Sequence, residues 1–112
     1  MLVRNREEVE PVTYSGDAVG VEMRPLITER EGAPTFAMRV FTLDPDGHTP
    51  YHAHTWEHEV YILKGTGSVR ATGGERTLRP GDSVYIAPQE DHQFRAGAEG
   101  LQFICCVPHN QS

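Results

Sequence analysis

Short runs of alternating apolar and polar residues organise the chain from residue 20 almost to its end, broken by clusters of glycine, proline and aspartate. Period-two alternation marks strands with one buried face. Helical spacing is absent, apart from a weak trace in the first ten residues that Pro11 ends. The pattern predicts strands at Gly20–Leu26, Phe36–Leu43, Thr49–Ala53, His58–Lys64, Gly67–Thr72, Glu75–Leu78, Ser83–Ala87, His92–Arg95 and Leu101–Val107. Turns are expected at Asp44-Pro45-Asp46-Gly47, Lys64-Gly65-Thr66-Gly67, Arg79-Pro80-Gly81-Asp82 and Ala96-Gly97-Ala98-Glu99-Gly100, with Gly73-Gly74 as a two-residue hairpin signal. About nine short strands without helices predict an all-β sandwich or closed barrel. Residues 1–18 read as an N-terminal arm that pairs with a dimer partner's sheet edge, and residues 19–112 as the barrel.

Length bounds the answer to one domain, since 112 residues cannot bury two cores. No apolar stretch approaches the roughly 20 residues of a membrane span, and the first residues turn polar too early for a signal peptide. A cytoplasmic protein is expected. The formal charge of −6, with no basic run to offset it, argues against nucleic acid as a partner. A small molecule is the expected partner, within a homodimer. The two cysteines, Cys105 and Cys106, are adjacent. Strand neighbours point to opposite faces, so a disulfide between them would be badly strained, and their spacing does not suit a zinc knuckle.

The six histidines change the picture. His52 and His54 are two apart, so on a strand their side chains leave one face, with Cα atoms roughly 6.6 Å apart. His58 opens the apolar run Val60-Tyr61-Ile62-Leu63, and His92 follows the turn Pro88-Gln89-Glu90-Asp91. A lone histidine in a strand is usually an ordinary polar residue, and an H-x-H pair is ambiguous. His-x-His-x3-His with a distant fourth histidine points to one divalent metal ion held by His52, His54, His58 and His92. His48 and His109 lie in turn or tail contexts and are left out of the site.

These residues also carry a resemblance. Gly47-x4-His52-x-His54-x3-His58-x6-Gly65 resembles the first cupin motif, G-x5-H-x-H-x3–4-E-x6-G, and Gly81-Asp82-x5-Pro88-x3-His92 is similar to the second. The resemblance spans about Phe36 to Val107 and implies a single-domain jelly-roll β-barrel with a metal near one mouth. The family's carboxylate could align with Glu59 or with His58. Six residues separate His58 from Gly65 and only five separate Glu59 from it, so the spacing selects His58. Alternation agrees, because His58, Val60 and Ile62 share one face while Glu59, Tyr61 and Leu63 share the other. The chain thus resembles the small four-histidine cupins. In the second motif Pro88 falls one place late, the second glycine is missing and Ala96 replaces asparagine, while His92 keeps its place eleven residues after Gly81.

Four neutral imidazoles leave a divalent ion its full +2 charge, a stronger Lewis acid than one ligated by a carboxylate, and no ligand remains to act as base. Imidazole suits several first-row metals. The resemblance leans to manganese, with iron, zinc, nickel and copper behind it. Parity places Phe94, Phe103, Cys105 and Val107 on the lining. Arg39, in a strand apolar on both faces, is either a solvated edge residue or an internal anchor for a substrate carboxylate. Trp56 is expected to pack at the hairpin end, and Glu57 lies close to the ligands or is exposed. The leading functional reading is an oxygen-using, dioxygenase-type enzyme acting on a small organic molecule. The alternatives are a non-redox lyase, isomerase or cyclase, and a ligand-binding module without turnover.

Overall fold

The computed structural model describes residues 1–14 and 16–109. Among these residues seven strands form one antiparallel, jelly-roll system: β1 (Val12–Thr13), β2 (Val19–Ile27), β3 (Phe36–His48), β4 (His58–Ala71), β5 (Gly74–Leu78), β6 (Ser83–Ile86) and β7 (His92–Pro108). Their order is β1-β2-β3-β7-β4-β5, with β6 paired to the first part of β4. The remaining regular structure among the described residues is two single 3-10 turns. One, Arg6–Glu8, is capped by Asn5; the other, Glu29–Glu31, is held by a Thr28/Glu31 capping box. Among the described residues no helix is long and apolar enough to cross a membrane.

The sequence predicts more and shorter strands, and most of the difference has one cause. Several glycine-containing segments expected to be turns are instead irregularities inside continuous strands. His58–Lys64 and Gly67–Thr72 join as β4 through register shifts between Ile62 and Gly67. His92–Arg95 and Leu101–Val107 join as β7, and Phe36–Leu43 continues through Asp44-Pro45-Asp46-Gly47 to His48. A bulge bends a strand without ending it, so one long strand can serve two neighbours in succession. Thr49–Ala53, expected as a strand, makes only an isolated bridge, His52 to His92. Pro50 offers no N–H, and the segment pairs through Thr49 and His52 alone. The hairpin after β4 closes on Ala71 and Gly74, so its loop is Thr72-Gly73, one residue earlier than Gly73-Gly74.

The interior is built by the expected alternation. His58, Val60 and Ile62 point inward at 7%, 3% and 0% exposure, while Glu59 and Tyr61 face solvent. Phe103, Cys105 and Val107 are likewise buried. Full burial of each large apolar side chain is worth about 1.5–3 kcal/mol, and this face supplies the core. The N-terminal arm lies against its own chain. β1 pairs with β2, the Arg4 guanidinium donates to the carbonyls of Pro25 and Leu26, and Arg6 donates to Gln102 Oε1.

The β4 bend depends on Gly65. It sits at φ +87°, and an added Cβ would fall on the carbonyl oxygen of Gly100 in β7. Gly65→Ala therefore combines left-handed strain with a backbone clash and is expected to cost about 3 kcal/mol or more in urea denaturation. Gly73→Ala, where a Cβ meets open space, is expected to stay within about 0.5 kcal/mol of wild type.

Candidate metal centre

The site lies where the first residues of β4 and β7 meet the segment between β3 and β4. His92 opens β7, and its backbone N–H and carbonyl are exchanged with those of His52 at 2.9 and 3.1 Å. This bridge fixes the first two rings, whose centroids lie 5.2 Å apart. His54 follows two residues later and its ring comes to 4.3 Å from that of His52. One ligand atom each from His52, His54 and His92 lie within 4.8 Å of one another, so these three residues could hold a metal ion. The ring proton of His92 is placed by its partner: Nδ1 lies 2.9 Å from the Glu90 carbonyl, which can only accept. Nε2 thus keeps its lone pair.

His58 stands beside the trio, its ring 5.0 Å from that of His54 and 5.1 Å from that of His92. Its Nδ1 is 3.3 Å from Cys105 Sγ, and its Nε2 is buried without a hydrogen-bond partner. A buried ring nitrogen with nothing to bond is costly unless a further group serves it. That orphan nitrogen beside three converging imidazoles, with no carboxylate among them, fits a divalent transition ion. Glu59 points to the outer face of the sheet, away from the cluster. His48 is occupied by Thr49 and Gln93, and His109 lies near Glu29, so neither joins the group.

The histidines open into a cavity of about 450 Å³. Of the residues the sequence offered for its wall, Arg39, Phe94, Phe103 and Cys105 line it. Val107 does not: it shares their face but lies deeper in the core, at 1% exposure. Arg39 takes the internal of its two expected positions. Its guanidinium lies 5.1 Å over the Phe41 ring, and Nη2 is 3.3 Å from Cys105 Sγ. Phe41 stacks on Phe103 at 5.3 Å, and Phe103 packs on Phe94 at 4.6 Å, giving one wall three aromatic rings.

Several lining residues escaped the sequence reading. Phe41 had a usable signal, since it alternates with Arg39 along one strand. Trp56, expected at the hairpin end, stacks on the His54 ring at 4.4 Å and an interplanar angle of 14°. Thr13, Tyr14 and Ala18 reach the cavity from the arm; no local pattern in the sequence foretells that. A larger hollow, about 690 Å³, opens between β5 and β6, but no histidine lines it.

Burial governs the protonation of the cluster. Desolvation, reinforced by the neighbouring imidazoles, lowers His52 and pushes His54 down to about 4 and His58 to about 3. Neutral imidazole is the form that binds metals. Burial also raises Tyr14 and Cys105, so both remain protonated at neutral pH.

The Cupin_2 family, the cupin domain, matches residues 39–107. Among solved structures, the polyketide cyclase RemF from Streptomyces resistomycificus is similar at 30% identity and a TM-score of 0.92, over 99% of this chain and 81% of that one. A cupin-2 domain protein from Rhodospirillum rubrum has 28% identity and a TM-score of 0.88, over 100% of this chain and 76% of that one. A cupin 2 domain-containing protein from Halorhodospira halophila has 32% identity and a TM-score of 0.79, over 83% and 67%. No curated protein matches the sequence.

The depressed histidines make metal-free stability depend on pH. Between their folded values and the ordinary 6.5, the unfolded chain binds protons that the folded chain refuses. Stability is thus greatest above about pH 6.5 and falls as the pH drops toward 4. Thermal unfolding of the chelator-treated protein should show a falling Tm across this window. His58→Gln, which removes the most depressed group, should flatten it.

Proposed function

The chain belongs to the Cupin_2 family, and on that premise we propose that it is a metal-dependent enzyme performing non-redox, cyclase-type carbon–carbon bond formation on an enolisable carbonyl compound. The observation that carries the reading is a donor set made wholly of histidines within an aromatic cavity whose described lining contains no carboxylate. Likeness to RemF over nearly the whole chain supports the cyclase class.

His52, His54 and His92 would hold the ion, with His58 as the fourth ligand through its unserved Nε2. When bound, the ion supplies Lewis acidity toward a carbonyl oxygen, undiminished by any anionic ligand. Trp56 covers one face of His54 and keeps water from it. Phe41, Phe94 and Phe103 give a planar substrate a surface to lie on. Tyr14, held protonated by burial, donates from Oη to a carbonyl that gains negative charge. In the overall change the carbon α to one carbonyl loses two hydrogens and becomes doubly bonded to the carbon of a second carbonyl, whose oxygen leaves with those two hydrogens as water, with no net oxidation.

Manganese is proposed as the resident ion, ahead of iron, zinc, nickel and copper. The assembly is proposed to be a homodimer. Supporting it, Phe36, Met38, Tyr61 and Tyr85 remain exposed, and the pairing of β3, β7, β4 and β6 sets Met38 and Tyr85 in one row across the outer sheet face.

Elemental analysis of protein purified without chelator should find one divalent ion per chain. His52→Ala, His54→Ala, His92→Ala and His58→Ala should each lower occupancy at least tenfold at limiting metal, whereas Glu59→Ala keeps it. Retention of full occupancy in His58→Ala would remove that residue from the ligand set. Incubation of the loaded protein with aromatic polyketones, with and without oxygen, tests the reaction. Dehydrated cyclic product formed anaerobically, also with zinc, is the expected result. Oxygen consumption with a cleaved product would favour the dioxygenase-type reading, and tight binding without turnover would favour a binding module.

A further inference from the structure

The cavity wall carries a single formal charge among its described residues, and that charge is unbalanced. Arg39 forms no ion pair among the described residues. Its Nη2 has only the weak acceptor Cys105 Sγ at 3.3 Å, and its Nε is buried without a hydrogen-bond partner. The rest of the lining is aromatic, aliphatic, hydroxylic or imidazole. A half-buried guanidinium with a buried, unused donor is costly, and burial of a charge is normally offset by a counter-ion. Bulk electrostatics do not account for it either, since the net charge of −6 comes from acidic groups outside this lining.

Position adds to the charge. Cys105 Sγ touches Arg39 on one side and His58 Nδ1 on the other, each at 3.3 Å, so guanidinium and histidine cluster are separated by one sulfur atom. The Phe41 ring lies under the guanidinium and stacks on Phe103, which continues to Phe94 and from there to His92, whose ring is 6.4 Å from that of Phe94. An aromatic surface therefore runs from the cation toward the metal ligands.

We propose that Arg39 is the anion-recognising residue of the cavity, and that the ligand it takes is a planar, aromatic or conjugated carboxylate. The carboxylate accepts from the Nη groups, the planar body lies on Phe41 and Phe103, and the reacting carbonyl is directed to the histidine cluster. A guanidinium suits this role because it offers parallel N–H donors in a fixed plane and stacks on an aromatic face at the same time. Cys105 acts as a positioning residue that holds the guanidinium against the wall. The inference rests on the metal-dependent reading for the ligand's orientation, while recognition of the carboxylate itself needs no metal.

Binding to metal-free protein at pH 8 isolates the claim, with 2-naphthoate as probe and 2-naphthamide as its neutral counterpart, read by calorimetry and by Trp56 fluorescence. Wild type is expected to bind 2-naphthoate at least about tenfold more tightly than 2-naphthamide. Arg39→Met, which keeps the contact with Phe41, should weaken 2-naphthoate about tenfold to hundredfold and leave 2-naphthamide within about threefold. Arg39→Lys, which keeps the charge without the planar donor pair, should fall between. Equal affinity of wild type for the two probes, or no 2-naphthoate binding up to about 10 mM, overturns the proposal whatever the variants do. So does an Arg39→Met protein that binds 2-naphthoate like wild type. Loss of metal occupancy or of cyclase activity without any change in this preference would count against the metal-dependent reading and leave Arg39's role intact.

Discussion

The structure depends on the double pairing of β7. Its last residues are hydrogen-bonded to β3 on one edge and to β4 on the other, and its first residues remain with β4 after the bend. A strand paired on both edges has little freedom in register, because a slip of one residue would turn every side chain to the opposite face. The consequence reaches the site directly. Arg39 is paired with Cys105, and Cys105 with Val60, so the cation, the thiol and the strand that begins at His58 stand in one fixed row. At the other end of β7, His92 bridges His52.

That rigidity explains how a small chain can hold a desolvated polar cluster. Burying imidazoles beside one another and beside a guanidinium opposes folding, and the depressed histidines are the sign of it. The cost is borne by long paired strands and by a core that closes around Leu43, Ile62 and Val107. The cluster is left with unserved donors and acceptors, which is the expected condition of a site built for a bound group.

Much of the centre was legible because strands obey a strict two-residue period. Parity along β4 put His58 inward and Glu59 outward, and parity along β7 put Phe94, Phe103 and Cys105 on the inner face, as observed. The same logic overreached at Val107, since a shared face does not tell a residue near the cavity from one in the packed core. It also failed to separate turns from bulges. Glycine-rich segments such as Lys64-Gly65-Thr66-Gly67 relax the backbone in either case, and only the partner strand decides whether pairing resumes beyond them.

What the sequence determined by itself is what short-range geometry and side-chain chemistry can carry: an all-β chain, a set of histidines spaced to converge, and the inward face of each principal strand. The two-fold pleat and the identity of the donors suffice for that. Tertiary structure alone decided the rest. It chose the interior for Arg39, brought Tyr14 from the arm and Trp56 from the loop to the cavity, and left Nε2 of His58 and Nε of Arg39 without partners. These outcomes depend on which strands meet across the barrel and where each bulge falls. Long-range pairing sets both, and no local window of the chain contains them.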